Sequence, residues 1–317
     1  MNYIGKKLLH LAAVLLAVTF LTFLMIDLLP GDAAYGVAGQ QATLDDIHAL
    51  QKELDLTGNI VLRYIRWMSK AAAGNLGTSF FTHEPVTSAI VARLPVTLEL
   101  MLMAQLLAIT LAVPSAILCA YRPQSTMDKS LTGLAFTTMS MPVFVMALVL
   151  IYLFAVQMRW LPATGYVPLN EDAWLNLRSF LLPSLSIALV EWVPLMRVLR
   201  SDMITTLQKD YILLARSKGL PVHQILFKHA LRPSSFTLLT ILGLHIGHLI
   251  GGALIVETIF ALPGIGRLLV GAIFNQDTNL IQGCILLISA AYVVINFLVD
   301  LSYAILDPRL RKGAALE

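Results

Sequence analysis

Six long apolar runs, separated by short segments that carry most of the charge, constrain this chain more than any other feature of its sequence. An α-helix needs roughly 20 apolar residues to cross a hydrocarbon core about 30 Å thick. Runs of that order predict spans at residues 8–29, 95–121, 131–158, 179–200, 234–256 and 283–305. Continuous Leu, Ala, Val and Ile runs suit helices better than the alternating strands of a barrel. The sequence therefore predicts an all-α, polytopic integral membrane protein with six transmembrane helices.

Composition excludes the main alternative, a soluble globular domain. Apolar residues make up 57% of the chain and charged residues only 13%, with a mean hydropathy of +0.77. The two cysteines, Cys119 and Cys284, fall inside apolar runs. We interpret them as packing residues, because nothing in their spacing indicates a disulfide framework or a thiolate metal site.

The basic residues indicate an orientation. Most of the 22 Lys and Arg residues fall in cytoplasmic segments if the N-terminus is cytoplasmic, which is the positive-inside pattern. We expect both termini in the cytoplasm. Residues 1–29 then form the N-terminus and first helix, 30–94 an external segment, 95–305 a five-helix core, and 306–317 a cytoplasmic tail.

Two short amphipathic helices are expected in the external segment. Thr43 is a good N-cap for a helix over residues 43–54. Residues 60–74 predict a second helix, in which Tyr64 and Trp67 suit the membrane interface. Together the two helices would form a small lid outside the membrane.

The loop between the fourth and fifth spans, residues 202–232, has a helical pattern of its own. Two groups of residues recur at helical spacing, one on each side of Gly219 and Pro221, and predict a helix, a sharp turn and a second helix along the cytoplasmic surface. The groups are Leu207, Tyr211, Leu214 and Ala215, and then Ile225, Leu226, His229 and Ala230. Periodicity alone favours a basic hairpin resting on anionic lipid headgroups.

The same loop resembles the ATPase-coupling loop of permease subunits in the dipeptide, oligopeptide and nickel family of ABC importers. The matching positions are Asp210, Tyr211, Ala215, Lys218, Gly219, Leu220, His229, Ala230, Leu231 and Arg232. Further stretches resemble the family in the same order: LPGD at 29–32, LGTS at 76–79, RLPVTLEL at 93–100, WLPATGY at 160–166, GGALIVETIF at 251–260, PGIGR at 263–267 and VDLSYAILDPRLR at 299–311. Leu213, Leu214 and Pro233 depart from the family pattern, which leaves open the angle at which the loop joins span five.

This resemblance implies a fold similar to type I ABC importer permeases and a role as half of a translocation path for peptides or for nickel and metal chelates. The implied partners are a second homologous permease subunit, two ATP-binding subunits and an external solute-binding protein, in a bacterial inner membrane. The implied coupling residues are Asp210, Tyr211, Ala215, Arg216, Lys218, Gly219 and Leu220. The chain contains no GxxxxGK[ST] phosphate loop, so its energy source must be another subunit.

Two other functional classes were considered. An intramembrane enzyme would need a nucleophile with a base, paired catalytic carboxylates or a metal-binding helix inside a span, and none of these is found. We therefore predict a transport subunit without catalytic residues, cofactor or nucleic-acid partner. The alternative to an ABC permease is an ATP-independent channel or secondary transporter, for which charge pairs within the spans and broken helices are expected.

Ionisable residues inside spans are the remaining candidates. Glu191 lies near the middle of span four, and it predicts either a residue of the transport pathway or an internal hydrogen-bonded pair. His245 and His248 share a face of span five, where packed histidines are favoured over a metal site, and together with Glu191 they are possible residues of the transport pathway. Small residues nearby, among them Gly243 and Gly251, predict a close helix contact. Residues 257–269 predict either a re-entrant element or a plain loop.

Overall fold

The computed structural model describes residues 3–28, 34, 43–53 and 57–306, and within these ranges the regular structure is helical. The helices are α1 (Tyr3–Leu28), α2 (Leu44–Glu53), α3 (Ile60–Ala72), α4 (Val86–Tyr121), α5 (Thr126–Met139), α6 (Val143–Gln157), α7 (Ala173–Leu207), α8 (Asp210–Ser217), α9 (Val222–Ile259), α10 (Ile265–Phe274) and α11 (Thr278–Leu306). The all-α prediction is confirmed, and both helices expected in the external segment are present as α2 and α3. The tail at 307–317 and most of 29–42 lie outside the described residues.

Five of these helices, α1, α4, α7, α9 and α11, are long and apolar enough to cross a membrane. The pair α5 and α6 supplies a sixth span if the two are counted together. The chain is thus a multi-pass membrane protein.

The prediction of one continuous span over 131–158 was wrong, because α5 and α6 meet at an angle of 104°. The break falls at Ser140–Pro142, and Pro142 has extended backbone angles, φ −57° and ψ 148°. Proline disfavours helical geometry in the residue before it and has no N–H for the helical ladder. The chain therefore starts a new helix at Pro142.

The sequence left open how the loop joins span five, and the structure joins the two by a continuous helix. α9 runs without a break from Val222 to Ile259, and a π-helical stretch covers Ile225–Ala230. In a regular α-helix the ring of Pro233 would clash with the carbonyl of His229, so the wider π turn just before it accommodates the proline. The second arm of the hairpin and the fifth span therefore form one continuous helix.

The described residues form two compact units. The first contains the described residues up to Thr97 together with Pro263–Leu298. In it, α3 packs on α1: the Tyr64 hydroxyl lies 2.9 Å from Thr19 Oγ1, and Arg63 Nη1 donates to Asp27 Oδ1 at 2.6 Å. Tyr64 is buried against two phenylalanine rings. Its expected place at the membrane interface stays a prediction.

The second unit contains Leu98–Leu262 and Val299–Leu306. Helix α7 lies at its centre, with 72% of its most apolar window buried. A stripe of fully buried alanines on α4 lets the backbone of α4 approach the core closely, and these are Ala104, Ala108, Ala112 and Ala116. The cysteine prediction holds in both units, because Cys119 and Cys284 are buried free thiols.

Candidate coupling and pathway sites

The turn of the hairpin is fixed by a pair of backbone hydrogen bonds at the end of α8. The Leu220 N–H donates to the Ala215 carbonyl at 3.2 Å, and the Gly219 N–H donates to the Arg216 carbonyl at 2.9 Å. This is the Schellman arrangement, which requires a left-handed residue after the helix. Gly219 supplies it with φ +74°. Pro221 follows with an extended ψ of 146° and starts α9, as its position in the sequence predicts.

The apolar face of α8 differs from the predicted one. Ile212 and Ala215 are buried, whereas Tyr211 and Leu214 are exposed by 43% and 56%. Leu207 is also buried, but it belongs to α7. The chain leaves the helix at Gln208 and Lys209, so the helical phase restarts at Asp210 and the spacing counted across that break does not hold.

On the second arm of the hairpin, three of the four residues of the predicted apolar face are buried, and the fourth, His229, is half-buried. Ile225, Leu226 and Ala230 are buried in the same hydrophobic cluster as Ile212 and Ala215 of the first arm. Next to this cluster, the Ser234 hydroxyl donates to Thr206 Oγ1 at 3.1 Å, and both side chains are buried. The hairpin is thus packed onto the end of α7 by its own apolar side chains.

The exposed side chains of the hairpin combine apolar and basic groups. Leu213 and Leu214 are each 56% exposed, and Phe227 on the second arm is 59% exposed. The exposed Lys and Arg residues of the loop 202–232 are Lys209, Arg216, Lys218, Lys228 and Arg232. We call the exposed set Tyr211, Leu213, Leu214, Arg216, Lys218 and Phe227 the hairpin surface.

Glu191 and His245 meet between α7 and α9. Glu191 Oε2 lies 2.9 Å from His245 Nδ1, and Glu191 is 8% exposed. The His248 ring lies one helical turn further along α9, with its centroid 5.4 Å from that of His245. The structure therefore brings the three predicted pathway residues together and provides the hydrogen-bonded pair that the sequence left as one of two possibilities. Among the described residues, no group of three side chains has the geometry of a metal site.

Further buried polar atoms lie on α7 and α4 in the same unit. Ser184 Oγ and Trp192 Nε1 on α7, and both amide atoms of Gln105 on α4, have no hydrogen-bond partner within the described part of the chain. A buried polar atom without a partner costs roughly 1–3 kcal/mol. The interior of this unit is therefore more polar than a purely structural membrane core requires.

Two carboxylates have structural roles that sequence reasoning missed. Asp128 is held by Arg200, and Asp277 accepts hydrogen bonds from the Ser79 hydroxyl at 2.5 Å and the Phe80 N–H at 3.1 Å. Each carboxylate lies at or near the start of a helix after a polar turn, and this position is the signal by which the sequence could have identified it. Their partners are distant in the sequence, so no local pattern indicates the contacts.

Comparison with known families agrees with this architecture. The profile described as "Binding-protein-dependent transport system inner membrane component" matches residues 112–312. The profile of its N-terminal region matches residues 1–101. The chain belongs to this family of membrane permease components and is a permease subunit of an ABC importer.

Similar curated proteins extend over nearly the full length of the chain. A probable peptide ABC transporter permease of Sinorhizobium fredii is 37% identical over 309 residues, covering 98% of this chain and 99% of that protein. A putative peptide transport system permease of Brucella abortus is 39% identical, covering 96% and 98%. A dipeptide transport system permease of Alkalihalophilus pseudofirmus is 34% identical, covering 98% and 99%. These findings favour the importer prediction over the ATP-independent alternative.

Proposed function

We propose that this chain forms one half of the translocation path of a peptide importer, and that separate ATP-binding subunits drive it through the hairpin surface. The observation that carries the proposal is the division of the hairpin into two faces. Ile212, Ala215 and Ile225 are buried in the chain's own core, while the hairpin surface is exposed. The hydrogen-bonded turn between the two arms of the hairpin keeps the hairpin surface in one conformation.

This division favours a protein partner over a lipid surface. An amphipathic hairpin on a membrane would insert its apolar face into the headgroup region. Here that face is used within the protein, and the exposed leucines stand beside Arg216 and Lys218, a mixture typical of protein contacts. Because α9 is continuous, force applied to the hairpin would reach the fifth span directly.

We infer the remaining parts of the assembly from the family resemblance. The permease acts with a second homologous permease subunit, two ATP-binding subunits that carry out hydrolysis, and an external solute-binding protein. It lies in a bacterial inner membrane with both termini cytoplasmic, which agrees with the distribution of basic residues. We propose peptides rather than nickel or metal chelates as cargo, because the similar proteins above are named as peptide permeases.

Glu191, His245 and His248 are proposed to line part of the path in another state of the transport cycle. The pair lies in the contact between α7 and α9, and α9 carries the second arm of the hairpin. Movement of α9 by the ATP-binding subunits would separate Glu191 from His245 and expose both to a passing solute.

Copurification tests the coupling proposal. The tagged chain, expressed with its partner permease and ATP-binding subunits, should retain those ATP-binding subunits in detergent. Leu213→Glu combined with Leu214→Glu places two negative charges on the hairpin surface and should abolish that retention. Leu44→Glu, a change at another exposed leucine outside the hairpin, should not. Full retention by the double variant would exclude the hairpin surface as the contact.

A further inference from the structure

A pocket of about 290 Å³ lies in the first unit, apart from the hairpin and from the Glu191–His245 pair. Its wall combines the loop before α4, the first turns of α4, the start of α10 and the start of α11. Two arginines, Arg93 on α4 and Arg267 on α10, line it together. Polar groups on the wall include Ser79, Thr82 and Asn275.

Hydrogen bonds between distant segments make the wall of this pocket rigid. Asp277 is 2% exposed, and its Oδ2 accepts from Ser79 Oγ and from the Phe80 N–H. Its Oδ1 accepts from the Leu280 N–H at 3.2 Å. The Ile265 N–H, at the start of α10, donates to Thr97 Oγ1 of α4 at 2.9 Å. The segments that carry the two arginines are thus joined on more than one side.

The charge of the pocket favours an anion. Among the described residues of its wall the one carboxylate is that of Asp277, which already accepts three hydrogen bonds from the protein itself. Arg93 is half-buried and donates from Nη1 to the Ala89 carbonyl at 2.8 Å, which orients its guanidinium. A guanidinium has five N–H donors in a planar fork that matches the two oxygens of a carboxylate. Two such groups on one small pocket form a carboxylate site.

We propose that this pocket binds a carboxylate presented from outside the membrane. The external location rests on the proposed function and its orientation, which place the start of α4 and the connection from α9 to α11 on the outer side. The pocket is at the lower end of the roughly 300–1,000 Å³ of small-molecule sites, so it fits one residue rather than a whole oligopeptide. The carboxylate is the C-terminus of a transported peptide or an acidic side chain of the docking solute-binding protein.

Binding to the purified full chain in phosphatidylcholine nanodiscs tests this proposal and separates the two sources. The first arm compares trialanine with trialanine amide, which lacks the carboxylate, by saturation-transfer NMR and calorimetry. The second arm measures the affinity of the purified solute-binding protein for the same nanodiscs. In at least one arm, Arg93→Gln and Arg267→Gln should each weaken binding about tenfold or more, the loss expected for charge-assisted hydrogen bonds.

Two control variants keep the outcome interpretable. Lys70→Gln removes a positive charge from an exposed position of the same unit that does not line the pocket, and it should leave both affinities unchanged. Arg267→Lys keeps the positive charge but loses the planar pair of N–H donors. The affinity of this variant for the carboxylate ligand should therefore fall between those of the native chain and Arg267→Gln. The thermal midpoint of each variant, measured in the same nanodiscs, shows whether a loss of binding reflects misfolding.

Each pattern of results has one meaning. An effect in the trialanine arm alone assigns the pocket to the peptide C-terminus, and an effect in the binding-protein arm alone assigns it to an acidic side chain. Failure of the arginine variants to weaken binding in either arm, or equal binding of trialanine and its amide with no effect on the binding protein, overturns the proposal. Retention of the ATP-binding subunits depends on the hairpin, so failure of that test and failure of this one are distinguishable.

Discussion

Arg200 on α7 holds Asp128 on α5 through two parallel hydrogen bonds, from Nε to Oδ1 at 2.8 Å and from Nη2 to Oδ2 at 2.6 Å. Asp128 also accepts from the Gln124 N–H at 2.8 Å and is 4% exposed. The pair links α5, the first helix of the broken span, to α7, the helix that leads into the hairpin.

Arg200→Gln should lower the stability of the subunit markedly. The substitution leaves the Asp128 carboxylate buried with fewer donors, and breaking a fully buried pair costs about 3–5 kcal/mol. Arg200 keeps 28% of its side-chain surface exposed, so a loss of about 2–3 kcal/mol is expected. The thermal midpoint of the purified complex, followed by size-exclusion chromatography after heating, measures the change.

A double variant is the control for that prediction. Asp128→Asn with Arg200→Gln removes both charges together and should be more stable than Arg200→Gln alone, because no unpaired charge remains. If the double variant is as unstable as the sum of the two single variants, the two residues are not energetically coupled and the interpretation of the pair is wrong.

Substitutions at Gly219 should separate backbone strain from steric conflict. A Cβ at this position would meet nothing within 4 Å, so only its φ of +74° matters. Gly219→Ala should cost about 1 kcal/mol, and Gly219→Asn less, since Asn tolerates the left-handed region. Gly219→Pro removes the N–H that bonds to Arg216 and forces φ near −65°, so it should destroy the turn.

The functional consequence is uncoupling. Gly219→Pro should abolish uptake by the reconstituted importer while the chain still inserts and pairs with its partner permease, and Gly219→Asn should support near-native uptake. Peptide uptake and ATP hydrolysis measured on the same proteoliposomes provide the comparison. Uptake by Gly219→Pro at the level of Gly219→Asn contradicts a coupling role for the hairpin.

These results show which parts of the fold local sequence determines. Apolar run length located the spans, and Gly219 with Pro221 located the hairpin turn, because both signals act within a few residues. Pro142 is itself a local signal for the bend. The apolar residues on both sides of it form one long run, however, and that run favoured the prediction of a single span. Residues 131–158 show that length alone does not distinguish one span from two helices.

Other features depended on tertiary contacts. Glu191 and His245 are 54 residues apart in the sequence. The sequence could therefore identify each residue as unusual without showing that the two meet. The exposure of Leu214 depended on where α7 ends, which is set by packing rather than by periodicity. The pocket with Arg93 and Arg267 combines residues 79–93 with residues 263–280, and no sequence motif spans that distance.

Gly243 should be intolerant of any side chain. An added Cβ would collide with Val299 Cγ2 and lie only 3.0 Å from Val299 Cβ, so rotation of the valine side chain does not remove the crowding. Gly243→Ala should therefore destabilise the subunit by about 1–3 kcal/mol, the usual cost of overpacking. The thermal midpoint of the purified chain measures it.

Gly251→Ala is the matched control, because its Cβ would meet nothing within 4 Å. It should leave the thermal midpoint unchanged or raise it slightly, since alanine favours the helix. Adding Val299→Ala to Gly243→Ala should restore part of the lost stability. If Gly243→Ala and Gly251→Ala behave alike, the close contact between α9 and α11 does not exist in the membrane.

Glu191 offers the sharpest distinction between a structural and a transport role. Glu191→Gln keeps an oxygen that can accept from His245 Nδ1 at the same position but removes the negative charge, whereas Glu191→Leu removes both. If the residue only packs, Glu191→Gln should preserve stability and uptake, while Glu191→Leu reduces stability because His245 loses its partner.

The pathway proposal instead predicts that Glu191→Gln preserves the thermal midpoint and the retention of ATP-binding subunits, yet reduces peptide uptake at least severalfold. His248→Gln, one turn away on the same face, should also reduce uptake without altering assembly. Native uptake by Glu191→Gln would assign the pair to the structural core of the subunit and remove all three residues from the proposed path.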